Sequence, residues 1–438
     1  MKFNFSNFFT VASILFSLFA FFSFYPGAMT WDSLDQLRQA RMADYSDWQP
    51  PVMAFVWAGL LNVADGPGVM LCFHLLLLWS TALFLFKWTL EEGYKHGFLF
   101  LLIPALPWVL NFEFVIWKDV GMAYSWGAAI ALCLCYKSRE RFPLSVAFIV
   151  LALFVYGMLV RSNSLGAAFF LFPFLAGQIF KKKSVKHILA FMMVAIFGFF
   201  VITFLVNSAI GAKKSNSVSY VMFDDVVALK LRGVDVSLDF LTQDEISTIA
   251  SCEYLNENKV GAAFCIDGDR FKEITINNYQ ELKLSWVNSV FDNYPTYVAY
   301  RLSAFSQLVR SPWQSVYYES EFRVVKPPYE LDSGIRSESA QEKFFRKYVV
   351  GFKKLFPGLF KPYVWMVLLT CIAFLFWFDS AFKGTLFWLL PVSGLSYVLT
   401  YIPITPAGDF RYVYWSCFVC TISIFSYING RARASKVS

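Results

Sequence analysis

Charge is scarce in this chain. Asp, Glu, Lys and Arg make up 16% of its 438 residues, where a water-soluble domain carries about 25%. That deficit excludes an ordinary soluble globule of this length. Also missing are a Gly-rich phosphate loop, a G-x-S-x-G nucleophile turn and an H-E-x-x-H zinc helix. No cluster of His or Cys has metal-ligand spacing. No internal repeat or low-complexity segment stands out. The opening MKFNFSNFFTVASILFSLFAFF resembles a secretory signal but lacks a small-residue cleavage site followed by a soluble domain. It reads as an uncleaved first helix.

What the chain does have is apolar surface: 57% of residues are hydrophobic, 20% aromatic, and 50 are Phe. Several apolar runs reach the length of about 20 residues that a ~30 Å hydrocarbon layer requires. The pattern predicts an all-α polytopic membrane protein with about ten transmembrane helices and a mainly α external insert. The expected spans are 8–25, 67–87, 97–112, 120–136, 142–160, 164–180, 187–207, 363–380, 384–402 and 412–428. The third carries Pro104 and Pro107, so it is expected to be kinked or only partly inserted. The net charge of +7 does not point to nucleic acid, because the basic residues fall in short loops between apolar runs.

Those loops set an orientation. With a cytoplasmic N-terminus, Lys87, Lys95, Lys137, Arg139, Arg141, Lys181, Lys182, Lys183, Lys186, Lys383, Arg431, Arg433 and Lys436 all lie inside, as the positive-inside rule asks. The external face then collects the first loop 26–66, the turn at Lys118, Arg161, the insert 208–362 and the loop at Asp409. Three units follow: an N-terminal transmembrane module 1–207, the insert 208–362 and a C-terminal three-helix module 363–438. Of eight Cys, only Cys252 and Cys265 lie outside the spans. Both are external, where a disulfide persists; the competing reading is two free thiols in a small core. The insert closes on FFRKYVVGFKKLFPGLFK, which suits an outer interfacial helix.

The stretch YPGAMTWDSLDQLRQARMADYSDWQPP, 25–51, organises the external face. Asp32, Asp35, Gln36 and Gln39 recur at helical spacing. Asp32 reads either as a helix-start acid favoured by the dipole or as a general base. Asp47, before the stiff WQPP turn, is a second acid or a hydrogen-bond anchor. In VIWKDVGMAY, Lys118 and Asp119 stand at the membrane boundary, where ionisable groups are costly unless paired or functional. They are a snorkelling Lys with a capping Asp, or a phosphate ligand with its positioning partner. Arg161, followed closely by Asn163, is an interfacial anchor or a fork for phosphate. In the last loop, TPAGDFRYVYW, Asp409 and Arg411 pair with each other, or Arg411 closes a phosphate site and Tyr412 and Tyr414 offer sugar-stacking faces. Arg301 is placed for similar work from the insert. His74, within the second span, is expected to hydrogen-bond a neighbouring helix.

An enzyme on the external face has no nucleotide sugar or ATP at hand, so its donor must arrive through the membrane. A sugar on a polyprenyl phosphate fits. The lipid lies against the spans, the phosphate meets Lys or Arg, and an acid deprotonates the acceptor hydroxyl. The same order of motifs (YPG, DS, DWQPP, WKD, RSN, Trp286 with NYPTYVAYRL, and a late DFRY) resembles the polytopic GT-C glycosyltransferase superfamily. More narrowly it is similar to GtrII-like O-antigen glucosyltransferases of bacteria. Gln49 stands where such a turn commonly has His, and RSNS stands for R-x-N-G, so no role carries over to a His or a close-approach Gly there.

The resemblance implies a GT-C-like fold and Asp32 as catalytic base, with Asp47 the other candidate acid. It implies substrate contacts from Asp35, Gln36, Gln49, Lys118, Asp119, Arg161, Asn163, Arg301, Asp409, Arg411 and Tyr412. The partners it implies are a polyprenyl-phosphate-linked sugar donor, a glycan or glycolipid acceptor and membrane lipid, in a bacterial inner membrane with a periplasmic active site. A divalent cation serves only some members of the superfamily. Two other readings compete. A polysaccharide polymerase or ligase is expected to use external Arg and His rather than an acid just after the first span. A lipid-linked sugar transporter is expected to show inverted repeats and polar groups at mid-membrane.

Overall fold

A computed structural model describes residues 5–258, 260–310, 323–324 and 339–434. Lys436 and part of the insert 208–362 lie outside the described residues. The described fold is all-α apart from a two-residue pairing, in which β1 (Ala28–Met29) runs antiparallel to β2 (Arg323–Val324), and isolated bridges at Ala28–Val115 and Ser46–Lys213. The apolar helices are α1 (Phe5–Phe24), α4 (Gly68–Glu91), α6 (Lys118–Tyr136), α7 (Leu144–Leu159), α8 (Leu165–Ile179), α9 (Val185–Ala209), α17 (Pro362–Phe378), α18 (Leu389–Leu399) and α19 (Tyr414–Ala434). Four of the described helices, those at 68–91, 118–136, 185–209 and 410–432, are long and apolar enough to cross a membrane. That is fewer than the ten spans expected; five further apolar helices are shorter.

The expected span 97–112 is not one helix. A 3-10 segment, Gly97–Ala105, contains Pro104, and α5 (Pro107–Glu113) restarts at Pro107. Each ring removes an amide donor and blocks the preceding turn, so the run cannot continue as a single rod.

α6 is the central post. It packs against α4, α7, α8 and α19 and is buried along almost its whole length. α9 is the opposite case. Only 11% of its most apolar stretch is covered by protein, and Phe197, Phe200 and Phe204 face outward. So much bare apolar surface is unfavourable in water and is at home in hydrocarbon. The last three helices do not stand apart: α18 packs on α8, and α19 on α6.

Two short helices follow α1, namely α2 (Trp31–Met42) and α3 (Val52–Leu60). The insert supplies α10 (Ser219–Leu231), α11 (Gln243–Ala250), α12 (Glu253–Asn258), α13 (Gly268–Ile276), α14 (Tyr279–Asp292), α15 (Tyr294–Arg310) and α16 (Ala340–Leu355). It has its own small core around Phe223, Val226, Ile274 and Leu282. Cys252 and Cys265 are joined in a disulfide across that unit.

Candidate functional site

The site begins at a turn. Gly27 has φ +109, and a Cβ there would lie 2.9 Å from the Ile116 side chain, so the position is closed to other residues on both counts. The tight turn lets Ala28 N–H donate to Phe114 O at 2.8 Å, while Ile116 N–H donates to Ala28 O at 3.1 Å. Ser33 Oγ then donates to Ile116 O at 2.6 Å. These bonds lock the start of α2 to the start of α6. Asp32, in the first turn of α2, is thereby set beside Lys118, the first residue of α6.

Gln49 joins the two. Its Nε2 donates to Asp32 Oδ1 at 2.7 Å, and its Oε1 accepts from Lys118 Nζ at 2.9 Å. The stiff turn before Pro50 thus delivers an amide, which bridges acid and cation without carrying charge itself. The other Asp32 oxygen accepts from Arg411, 379 positions along the chain, at 2.7 Å. Arg411 also pairs with Asp409 at 3.0 Å, and its guanidinium lies over the Trp117 ring. Trp117 Nε1 in turn donates to Thr30 Oγ1 at 2.9 Å. A second pair sits alongside. Arg161 meets Asp119 at 3.0 Å, the two side chains only 11% and 1% exposed, and Arg161 donates to Tyr401 Oη at 2.8 Å. Asn163 reaches Thr400 Oγ1 at 3.4 Å.

Asp32, Asp119 and Asp409 therefore share one cluster with Lys118, Arg161 and Arg411. Each Arg is engaged by carboxylate. Lys118 instead donates to a neutral amide, and it stands at the N-terminus of a helix, where the dipole disfavours a cation and favours an anion. Burial pushes the Asp32 carboxyl up, but the Arg411 and Lys118 charges and the Gln49 and Arg411 hydrogen bonds outweigh it. Asp32 stays ionised well below the usual carboxylate range. For Asp409 the balance goes the other way: burial pushes it up to about 6, and Arg411 only partly offsets that.

Several expected site residues are elsewhere. Asp47 is an anchor, not a second catalytic acid: its Oδ1 accepts from Ser215 N and Oγ, both at 2.6 Å, and ties the first loop to the insert. Asp35 accepts from Arg38 and Gln39 on its own helix, both at 2.7 Å. Gln36 is buried with no hydrogen-bond partner for its amide and makes no bond to the cluster. Arg301 is held by Asp225 at 2.7 Å and props the last loop at Thr405 O. Tyr412 is not an open stacking face, since Arg161 lies over its ring at 5.2 Å and Arg411 at 5.1 Å. Tyr414 is fully buried and shares a hydrogen bond with Tyr124. His74 is buried without a hydrogen-bond partner for either ring nitrogen, rather than bonded to a neighbouring helix.

Beyond the expected residues, the structure adds Trp117, Tyr401 and Glu113. Trp117 belongs to WKD, but its role as a floor for Arg411 depends on the far end of the chain. Glu113 is buried and one of its oxygens lacks a partner. Its neighbour Phe112 packs on Trp117, Phe410 and Tyr414, just under the cluster. An acid closing a Pro-broken apolar run was the available signal. Among the described residues no group of three or more His, Cys, Asp or Glu is placed to hold a metal ion. Comparison with known proteins finds no match, whether to a family model, a curated protein or a solved structure.

Proposed function

We propose that this chain is a polytopic membrane glycosyltransferase of the GT-C kind. It moves a sugar from a polyprenyl-phosphate donor to a surface glycan or glycolipid on the external face of a bacterial inner membrane. In this reading the shorter apolar helices complete a topology of about ten spans, tilted or locally broken, with both termini cytoplasmic. The observation that carries the reading is the Gln49 bridge, which fixes an ionised acid and a cation at the two ends of one amide.

The chemistry follows from that pairing. Asp32 takes the proton of the acceptor hydroxyl as its oxygen attacks the anomeric carbon. The bond from that carbon to the phosphate oxygen breaks, and the lipid phosphate leaves with the electron pair. Lys118 meets the phosphate first, because doing so breaks no ion pair; the helix N-terminus beneath it favours the same charge. Arg411 and Arg161 add to the stabilisation when a phosphate competes with their carboxylates. Arg411 leaving Asp32 for phosphate would also make Asp32 a stronger base, since that cation is what holds its proton affinity down. Base catalysis of this kind is worth ~10²–10⁴-fold, and donors aimed at the developing charge are worth a comparable factor.

The test is genetic and chemical together. Cells lacking the protein are expected to lose one sugar from a surface polysaccharide, and the wild-type gene restores it. The Asp32→Asn gene is expected not to. Full restoration by Asp32→Asn would overturn the assignment and favour a polymerase, a ligase or a transporter.

A further inference from the structure

The closing helix of the insert, α16, carries its side chains in separated arcs. At about 100° per residue, Phe345, Val349 and Phe352 form one apolar strip. Phe345 and Val349 are buried, and Phe345 packs on Phe16, Phe19 and Phe24 of α1. A second apolar strip, Phe344, Tyr348 and Leu355, lies beside the first and is exposed. Lys343, Lys347 and Lys354 line the far side and are exposed as well.

The exposed strip does not end at α16. The Phe344 ring lies 6.2 Å from that of Phe19, and Phe19 belongs to a bare face of α1 that includes Leu15, Leu18 and Phe22. The two helices thus present one continuous apolar surface, and exposed lysines run along its α16 part. Tyr348 Oη donates to Ala105 O at 2.9 Å, which pins α16 over the broken segment beneath it. An apolar strip that runs into a membrane-facing helix, with cations along its edge, is complementary to a headgroup layer carrying negative charge.

We propose that α16 lies in the headgroup layer of the leaflet facing the Asp32 cluster and binds anionic phospholipid through Lys343, Lys347 and Lys354. The inference rests on the membrane reading of the chain and is independent of the sugar chemistry. Its place is mechanical: α16 packs on α5, under the site, and on α1, which leads to it. Lipid held there would brace the segment that carries Phe112 and the helix that leads into Asp32.

The full-length protein in neutral detergent is titrated with dihexanoyl phosphatidylglycerol and with dihexanoyl phosphatidylcholine, followed by thermal shift and native mass spectrometry. The wild type is expected to bind the anionic lipid about tenfold or more tightly, each lysine near a charged surface contributing about fivefold. The preference fades as salt rises from about 0.1 to about 0.5 M. The triple variant Lys343→Gln, Lys347→Gln, Lys354→Gln is expected to lose it; a triple variant that keeps it overturns the proposal. A second measurement does not depend on those lysines. A nitroxide at Leu355→Cys, with Cys72 and Cys371 changed to Ala, is placed in phosphatidylglycerol nanodiscs. It should collide with dissolved oxygen more than with a water-soluble nickel chelate, and the reverse result overturns the placement. Neither readout uses a sugar donor, so these results and those for Asp32→Asn can fail separately.

Discussion

Two groups of buried charge can be set side by side. In the insert, Asp225 pairs with Arg301 at 2.7 Å and accepts from Trp286 Nε1 at 2.7 Å. Next to it Asp224 accepts from Gly261 N at 2.8 Å, from Ala262 N at 2.9 Å and from Tyr300 Oη. The Asp225 and Arg301 side chains are 0% and 3% exposed. In the cluster between α2, α6 and the last loop, Asp32 and Arg411 are 32% and 17% exposed, and Lys118 beside them donates to an amide. The first group spends its bonding capacity internally and seals itself from water. The second keeps a cation matched to no carboxylate of its own and an acid within reach of solvent. Ion pairs of the first sort hold segments together; the second arrangement leaves part of its acid open to solvent.

That contrast can be broken from either side. Asp32→Asn is expected to cost ~10²–10⁴-fold in transfer activity while costing less stability than the loss of a fully sealed pair, since Asp32 is partly exposed and Arg411 keeps Asp409. A matching collapse of both readouts would make Asp32 another structural acid. Asp225→Ala is expected to do the opposite. Removing one partner of a buried pair costs about 3–5 kcal/mol, so little folded protein should reach the membrane; a variant that unfolds at the wild-type temperature would contradict the sealed hub.

Smaller effects sharpen the picture. Lys118→Met removes a charge-assisted bond worth about 1.5–3 kcal/mol, or roughly 10–100-fold in kcat/KM. It is expected to act mainly through donor binding, so an unchanged KM for donor with intact kcat would remove Lys118 from the phosphate site. The smallest effect concerns pH. Asp409 is raised from 3.8 to about 6 when folded. The folded state therefore binds its proton more readily than the unfolded state, and stability from this group grows as pH falls through 6. Comparing the wild type with Asp409→Asn, the difference in unfolding free energy should shift toward the wild type by about 1 kcal/mol between pH 7.5 and 5. A flat difference would mean that Asp409 is ionised throughout, as an ordinary partner of Arg411.

Much of this site was legible because ionisable residues are conspicuous in an apolar chain. Asp32, Lys118, Arg161 and Arg411 each stand where an apolar run ends, a position that is costly for charge unless something compensates. Partner choice was not legible. Asp47 and Asp32 occupy the same loop and look alike in sequence, yet one meets Ser215 and the other Arg411. Arg301 looked as well placed as Arg411, but Asp225 claims it. The aromatic neighbours follow the same rule: nothing local in the sequence distinguishes an open Tyr412 face from the one that two guanidinium groups cover.

By itself the amino-acid sequence determined the apolar helices of this protein, the break at Pro104 and Pro107 and the stock of charges at the ends of apolar runs. These are local matters, decided by side-chain transfer energies and by which backbone hydrogen bonds each residue permits. Only the tertiary structure decided which acid meets which cation. Coulomb attraction and hydrogen bonding fall off within a few ångströms, and the distance between Asp32 and Arg411 is set by how α2, α6 and the last loop pack, not by the 379 positions that separate them in the chain.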